Sequence, residues 1–399
     1  MIRINFNPSF ALRDFVQIVL FVFFLSCILF PADFYHIKKI SFALALLLGM
    51  NKIIECIGLP KYRSVLFFAI IFPIGTIVHS LLLGGEIGRV ISDGYTGVLF
   101  LLLIVICEYN IDYEAMLIKC LKILCYITIL LAVLDFAGVS DLNMDTPIRN
   151  FIYDHSIGYV GKSFAYAAYY KVFIKTSPLL ILLLCYSFDN RKWIDVVLSF
   201  IALVLSGTRA NIFVAFGLLM SMFFLYKTEN ANQKHVKYIV MGVVLLIGVF
   251  FIPRVLGVAT DMMSTTGSVA SDAVRSGQLQ GLYDTLNDPV KLMFGVGYGN
   301  VLMFDYGRLK DTYEFELSYF CLLMKIGLLW FISYIVFLII PFFKKIPVST
   351  KVVLLGYLVI AFSNPLLYTS TAMIMLIYVY YKSIGCFRPE CLVPVIGKK

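Results

Sequence analysis

Long apolar runs constrain this chain more than any other feature. The runs at 64–83, 91–107 and 116–137 contain few charged side chains. A helix needs about 20 such residues to cross a hydrocarbon core roughly 30 Å thick. The runs are continuous and do not alternate with polar residues, which excludes a membrane β-barrel. Because 61% of the residues are hydrophobic and 14% are charged, an ordinary soluble domain is also excluded. The sequence predicts an all-α polytopic integral membrane protein.

The whole chain, residues 1–399, is predicted to form a single transmembrane domain with about twelve membrane-spanning helices. The predicted spans lie near 15–31, 38–58, 64–83, 91–107, 116–137, 164–187, 193–207, 209–226, 237–253, 315–341, 350–364 and 367–382. The first run ends without a small-residue cleavage site, so we interpret it as a retained span. None of the nine cysteines falls within 254–314, which argues against a disulfide framework or a zinc site there.

Lysine and arginine occur mainly in alternate short loops, which sets the predicted orientation. Lys61, Lys192 and Lys345 mark the cytoplasmic side, and both termini fall on that side. Two loops depart from this rule: Lys38-Lys39 would lie outside, and the inside loop at 108–114 is acidic. The formal charge of +9 is therefore interpreted as loop charge and not as a nucleic-acid surface.

This orientation places two longer polar segments on the outer face, which is the periplasm in a bacterium. They are 138–163 and 254–314, and the second is predicted to contain short helices and part of an active site. A helix is predicted over 271–286, with Arg275 on its apolar face and Gln278 one turn away. A guanidinium there suits a phosphate, although a snorkelling side chain or a structural salt bridge also fits. The GVGYG segment that follows is interpreted as a tight turn in preference to a phosphate cradle.

Further cations lie at predicted span ends. Arg209, in the segment SGTRAN, faces either a cavity or the lipid headgroups. Lys171 and Lys175 are spaced i, i+4 in a predicted helix, so they repel each other unless an anion or carboxylates lie between them. A polyanionic headgroup is thus a plausible ligand, with Tyr166 nearby at interface depth, where an aromatic belt is the alternative. Lys325 has no assigned role.

Two glutamates and a histidine are the candidates for proton transfer. Glu314 and Glu316 lie where the outer segment re-enters the membrane, close to the predicted cationic groups. Either carboxylate suits a general base, whereas the alternative is a solvated helix start. His155, in the other outer segment, is a weaker candidate.

Taken together, these segments resemble the O-antigen polymerase and ligase superfamily of bacterial inner-membrane glycosyltransferases. The resemblance covers roughly 199–341 and rests on SGTRAN, on Arg275 in SDAVRSGQ, on P-x(5)-GVGYG and on E-x-x-Y-x(7)-G ending at Gly327. The ligase branch carries His-Asn three residues before the tyrosine, whereas this chain has Glu316 and Leu317 there. The departure favours a polymerase.

The resemblance implies a reaction between two undecaprenyl-diphosphate-linked oligosaccharides, one the donor and one the acceptor. It implies no metal and no other cofactor, and as partners it implies membrane lipid and a chain-length regulator, with no nucleic acid. In this interpretation cations bind the diphosphate leaving group, a carboxylate activates the acceptor hydroxyl, and further side chains bind the substrate. The diphosphate ligands are Arg209, Arg275, Lys171 and Lys175; the catalytic carboxylates, acting as general base, are Glu316 and Glu314; the substrate contacts are Gln278, Tyr319, Tyr166 and His155.

Three other functions fit a polytopic chain. An O-antigen ligase, which joins the glycan to the lipid A core, is the nearest alternative. A flippase for lipid-linked oligosaccharides would have a similar number of spans but little reason for a long outer segment. A membrane acyltransferase usually carries a histidine-containing pair in its spans, and none is evident here.

The orientation can be tested with topology reporters. A reporter fused after Asp272 or Tyr306 should report the periplasm, and one fused after Lys192 or Lys345 should report the cytoplasm, because lysine and arginine are retained inside. The measurement is alkaline phosphatase activity against cytoplasmic fluorescence for each fusion. A cytoplasmic signal from the Asp272 fusion would invert the topology.

Overall fold

The computed structural model describes residues 8–32, 35–137, 146–162, 170–225, 266–300, 302–306, 309–312, 317–362 and 364–385, with a few positions between 235 and 246. The described residues are mostly helical, and short strands form two hairpins. The helices are α1 Pro8–Leu29, α2 Ile37–Cys56, α3 Pro60–Leu82, α4 Ile87–Glu108, α5 Tyr113–Phe136, α6 Pro147–Asp154, α7 Ser177–Asp189, α8 Trp193–Leu205, α9 Arg209–Leu225, α10 Thr266–Leu286, α11 Pro289–Phe294, α12 Ser318–Phe343, α13 Val348–Phe362 and α14 Ser370–Ile384. The strands are β1 Gly158–Lys162, β2 Tyr170–Ile174, β3 Leu302–Tyr306 and β4 Leu309–Thr312.

Five of the described helices are long and apolar enough to cross a membrane: α1, α3, α4, α5 and α12. Helices α7, α8, α9 and α13 are apolar but shorter. The predicted total of about twelve spans is therefore not confirmed, whereas a mostly helical architecture with helices that could span a membrane is. Large apolar side chains remain exposed along these helices, among them Ile18, Phe213 and Ile332, as expected where lipid replaces water.

Capping residues set several helix boundaries. Asp112 accepts a hydrogen bond from the amide of Ala115 (2.9 Å) at the start of α5, and Thr369 caps α14 in the same way. Asp288 accepts from the amide of Val290 (2.9 Å), and Pro289 occupies the first turn of α11. Each side-chain oxygen satisfies one of the amides that a helix start leaves unpaired. The predicted stop of α10 at Asp288-Pro289 is confirmed, because that helix ends at Leu286.

The helix predicted from residue 164 is wrong in its first part. Strand β2 covers 170–174 and pairs antiparallel with β1, Val160 opposite Val172, and helical structure begins only at Ser177. Val172 and Ile174 are buried, whereas the intervening Phe173 is partly exposed. This alternation has the period of a strand, which an overall hydropathy count does not detect.

The loops alternate between the two ends of the bundle. At one end, Lys61 pairs with Glu108 (2.9 Å), and Lys382 pairs with Glu114. The opposite end gathers the end of α1 and the starts of α2, α4, α12 and α14. This grouping agrees with the alternation that the charge pattern predicts. It also explains the acidic loop that departed from the rule, because Glu108 and Glu114 each pair with a lysine of the same end.

Helix α12 is broken at Gly327, and the glycine-rich loop is joined to the break. Gly327 adopts φ 72° and ψ 170°, so the carbonyls of Met324 and Lys325 lose their usual helical donors. The amides of Val296 (2.8 Å) and Gly297 (2.9 Å) donate to these two carbonyls instead. The GVGYG loop and the break in α12 are separate in the sequence, but these hydrogen bonds join them into one backbone junction.

The same loop also contacts the region between α3 and α4. The amide of Tyr298 donates to Ser80 Oγ (2.8 Å), and Ser80 in turn donates to the carbonyl of Thr76. A Cβ added at Gly85 would lie 2.2 Å from the carbonyl oxygen of Tyr298. The turn interpretation of GVGYG is thus supported, since the loop joins α12 to α3 and the amides of Gly295, Val296, Gly297 and Tyr298 already donate to protein groups.

Replacing Gly327 with alanine should destabilise the fold. A residue other than glycine in the left-handed region costs roughly 1–2 kcal/mol. The new Cβ would also lie 2.3 Å from the carbonyl carbon of Phe294. We expect Gly327→Ala to lower the melting temperature of the detergent-solubilised protein and its amount in the membrane.

Gly217→Ala is the matched control, since a Cβ at that helical position meets nothing within 4 Å. It should leave the melting temperature unchanged or raise it slightly. Equal melting temperatures for the two variants would contradict the proposed junction.

Candidate active site

A cavity of about 670 Å³ opens at the end of the bundle that holds the glycine-rich loop. Its walls are partly apolar and partly polar, as expected for a site that receives an amphipathic ligand. The apolar and aromatic lining comprises Phe23, Cys27, Phe42, Leu99, Tyr95, Tyr298, Leu322, Leu367 and Tyr368. Hydroxyl groups of Ser92, Thr96, Ser318, Thr369 and Ser370 complete much of the remainder.

The cavity is positively charged. Lys38, Lys39 and Lys325 line it, and Asp93 is the only carboxylate among its described lining residues, which leaves two net positive charges. Lys38 and Lys39 lie in the first turn of α2, where Lys38 also donates to the carbonyl of Pro31 across the loop from α1. Lys38 is half-buried, whereas Lys39 is exposed at the start of the helix.

Lys325 and Asp93 form the buried ion pair of the site. Lys325 Nζ lies 3.2 Å from Asp93 Oδ2, and the two side chains are 9% and 29% exposed. Asp93 is the more exposed of the two side chains. It lies one residue before Gly94, where the first α-helical part of α4 ends. The pair therefore presents a carboxylate, more than an ammonium group, to the cavity.

Helix α12 presents one face to the cavity before its break. Ser318, Cys321, Leu322 and Lys325 follow the i, i+3, i+4, i+7 spacing of a helix face, and all four line the cavity. The junction at Gly327 fixes the end of this face because the Lys325 carbonyl accepts from the loop. The position of Lys325 thus follows from helix periodicity together with the glycine loop.

Tyr298 places a buried hydroxyl group in the cavity wall. Its side chain is 1% exposed, and its hydroxyl has no hydrogen-bond partner among the described residues. Burial raises the pKa of this phenol well above its usual range, so the hydroxyl stays neutral. A buried hydroxyl left unpaired costs about 1–3 kcal/mol, which a ligand or water hydroxyl would recover. Lys325 Nζ lies 5.9 Å from the centre of its ring.

None of the predicted diphosphate ligands is among the described lining residues of this cavity. Arg209 begins α9, and Arg275 lies in α10 on the same helical face as Leu282, which packs against Cys321 and Met324 of α12. Only the backbone of these two arginines belongs to the described part. The predicted role of both arginines stays a prediction.

Lys171 and Lys175 do not share a helix face, which corrects the argument for their pairing. Lys171 lies in strand β2, and Lys175 follows it, its amide donating to the carbonyl of Ile157 (3.1 Å). Thr176, the next residue, donates to the carbonyl of Ile28 near the end of α1. Lys175 therefore lies at the cavity end of the bundle, although it does not line the cavity.

The predicted substrate contacts are dispersed. Gln278 is 4% exposed, and its Oε1 has no partner within the described residues. Tyr319 donates to the carbonyl of Leu358 (3.0 Å), and His155 packs edge-on against Phe151 (4.6 Å between centroids). Glu314, Glu316 and Tyr166 lie outside the described residues, so their roles stay predictions.

The outer part of α10 also departs from its predicted pattern. Leu282 is buried and Leu286 packs beside it, but Leu279 is 48% exposed. The buried face runs instead through Gln278 and Leu282, four residues apart. Position 275 belongs to this face, three residues before Gln278.

Sequence reasoning missed Asp93 and Tyr298 and left Lys325 unassigned. The sequence did contain a signal that Lys38 and Lys39 are unusual, since both lie in a predicted outer loop, where the positive-inside rule disfavours lysine. Comparisons with protein-family models, with curated proteins and with solved structures found no match for this chain.

Neutralising the two lysines of α2 should weaken binding of an anionic lipid headgroup. The double variant Lys38→Gln, Lys39→Gln removes two charge-assisted contacts, each worth about 1.5–3 kcal/mol, so the dissociation constant should rise at least roughly tenfold. The measurement is thermophoresis of the solubilised protein with farnesyl diphosphate, a short-chain polyprenyl diphosphate.

Lys52→Gln is the matched control. Lys52 lies on the same helix but pairs with Glu55 on the surface, away from the cavity. The affinity of the Lys52→Gln variant for farnesyl diphosphate should equal that of the wild type. Unchanged affinity in the double variant would show that the α2 lysines do not bind the headgroup.

Proposed function

We propose that this protein is a glycosyltransferase of the bacterial inner membrane that polymerises undecaprenyl-diphosphate-linked oligosaccharide repeat units, with its site facing the periplasm. The observation that carries the proposal is the cationic cavity at the loop end of the bundle. Lysines suit a diphosphate, apolar walls suit the first part of a lipid chain, and hydroxyl and aromatic side chains suit a sugar. An amphipathic lipid-linked glycan combines all three chemistries.

The chemistry follows from where negative charge develops. As the bond between the donor sugar and its diphosphate breaks, the leaving group gains charge, and fixed cations nearby stabilise it most at that moment. Lys38, Lys39 and Lys325 are the cations that line the cavity among the described residues. The acceptor hydroxyl attacks the anomeric carbon and needs a carboxylate for its proton. A direct attack inverts the anomeric configuration.

The sequence motifs support the same site. GVGYG and Gly327 belong to two of the segments on which the family resemblance rests, and their backbones are hydrogen-bonded to each other. The junction holds Tyr298 and Lys325 in the cavity wall. The backbone junction, and not direct contact with a ligand, accounts for Gly297 and Gly327, since both have a positive φ.

The long outer segment favours a transferase over a flippase. A flippase has little reason for a polar segment as long as 254–314 at one face. An O-antigen ligase fits the cavity equally well. The glutamate in place of the ligase histidine, at Glu316, favours the polymerase.

Deleting the gene in the source bacterium tests this proposal. We expect lipopolysaccharide that carries the core with a single repeat and no ladder, because ligation continues without polymerisation. Silver-stained gels measure the banding pattern, and re-expression of the wild-type gene is the control.

Other patterns would contradict it. Bare core with polymer still attached to the lipid carrier would indicate a ligase. Bare core with no repeat at the outer face would indicate a flippase, and an unchanged ladder would exclude all three functions in O-antigen assembly.

A further inference from the structure

Asp93 is the carboxylate that the described part of the cavity offers to a substrate. It lies on α4, on a cavity wall that also holds Ser92, Thr96 and Tyr298. Its side chain is 29% exposed, compared with 9% for its partner Lys325. Lys325 is its hydrogen-bond partner through Oδ2 within the described residues, so Oδ1 is left to face a ligand.

Lys325 gives this carboxylate a fixed orientation, and two tyrosines of the cavity wall lie nearby. The ion pair holds Oδ2 from one side, and Lys325 is held in turn by the broken helix α12. Tyr298 and Tyr368 stack nearby with centroids 6.2 Å apart and an interplanar angle of 13°. A carboxylate held by one oxygen in a partly closed site suits a proton acceptor, because its other oxygen need not reorganise during the reaction.

From this geometry we propose that Asp93 accepts the proton of the acceptor-sugar hydroxyl, with Lys325 as its positioning residue; this inference rests on the proposed function. The hydroxyl oxygen forms a bond to the anomeric carbon of the donor, and the bond from that carbon to the phosphate oxygen breaks. Its electron pair leaves with the polyprenyl diphosphate. The hydroxyl proton passes to Asp93 Oδ1 and from there to solvent.

The α2 lysines complete the division of roles. Lys38 and Lys39 come from a different helix and face the same cavity. They can bind the departing diphosphate without neutralising Asp93, which Lys325 already pairs. The opposite interpretation is that Asp93 and Lys325 form only a structural pair, as buried ion pairs often do.

The test measures polymer formation by membranes that contain each variant. The substrate is the lipid-linked repeat extracted from source cells that lack the gene, and immunoblots normalise the rate to protein. Asp93→Asn keeps the shape but cannot accept the proton, so the rate should fall roughly 10²- to 10⁴-fold. Binding of farnesyl diphosphate should be retained or become tighter, because the lysines remain and a carboxylate that repels the diphosphate is lost.

Two further variants separate chemistry from structure. The exchange Asp93→Lys with Lys325→Asp keeps an ion pair but moves the carboxylate to the other wall, and we expect it to stay inactive. Asp93→Asn with Lys325→Met removes both charges, which leaves no unpaired ion in the membrane, and it should accumulate normally but fail to polymerise. Glu55→Gln, in the surface pair with Lys52, is the control and should retain full activity.

The outcomes are distinct. Wild-type rates from Asp93→Asn or from the double neutral variant, or activity restored by the exchanged pair, would overturn the role of Asp93. Loss of activity in Glu316→Gln with full activity in Asp93→Asn would assign the proton acceptor to Glu316 instead. Wild-type membranes that make no polymer from the lipid-linked repeat would refute the proposed function itself.

Discussion

The break in α12 at Gly327 is the constraint on which the candidate site depends. A regular helix would use the carbonyls of Met324 and Lys325 internally, and the glycine loop would have nothing to bind. Because Gly327 leaves the helical conformation, these carbonyls accept from Val296 and Gly297. In a membrane protein a broken helix persists only where other groups satisfy its backbone. Here the loop does so and brings Tyr298 into the cavity wall.

Charge is the second organising feature. At one end of the bundle, lysines pair with Glu108 and Glu114, which stabilises the helix ends. At the other end, Lys38, Lys39 and Lys325 meet a single carboxylate, Asp93, among the described lining residues. At the first end both glutamates are paired, whereas at the second the lysines outnumber the carboxylate among the described lining residues. An excess that faces a cavity is the electrostatic condition for binding an anion.

The two exceptions to the charge rule have different physical causes. The acidic loop at 108–114 is neutralised by partners from distant parts of the sequence, Lys61 and Lys382. Lys38 and Lys39 line the cavity that binds an anion under the proposed function. A residue that violates a topological rule is therefore a useful sequence signal for a site, although the rule alone does not say whether the residue lines a cavity.

By itself, the sequence determined the class of this protein and the position of most helices, because the hydrophobic length needed to cross a membrane is a local property. The tertiary structure decided which charges meet. The Asp93–Lys325 pair joins residues far apart in the chain, and no local pattern encodes that distance. The strand at 170–174 was also missed, since short apolar strands and helices differ only in period. The helix face of Ser318, Cys321, Leu322 and Lys325 is readable from spacing, but only packing against α4 makes it a cavity wall.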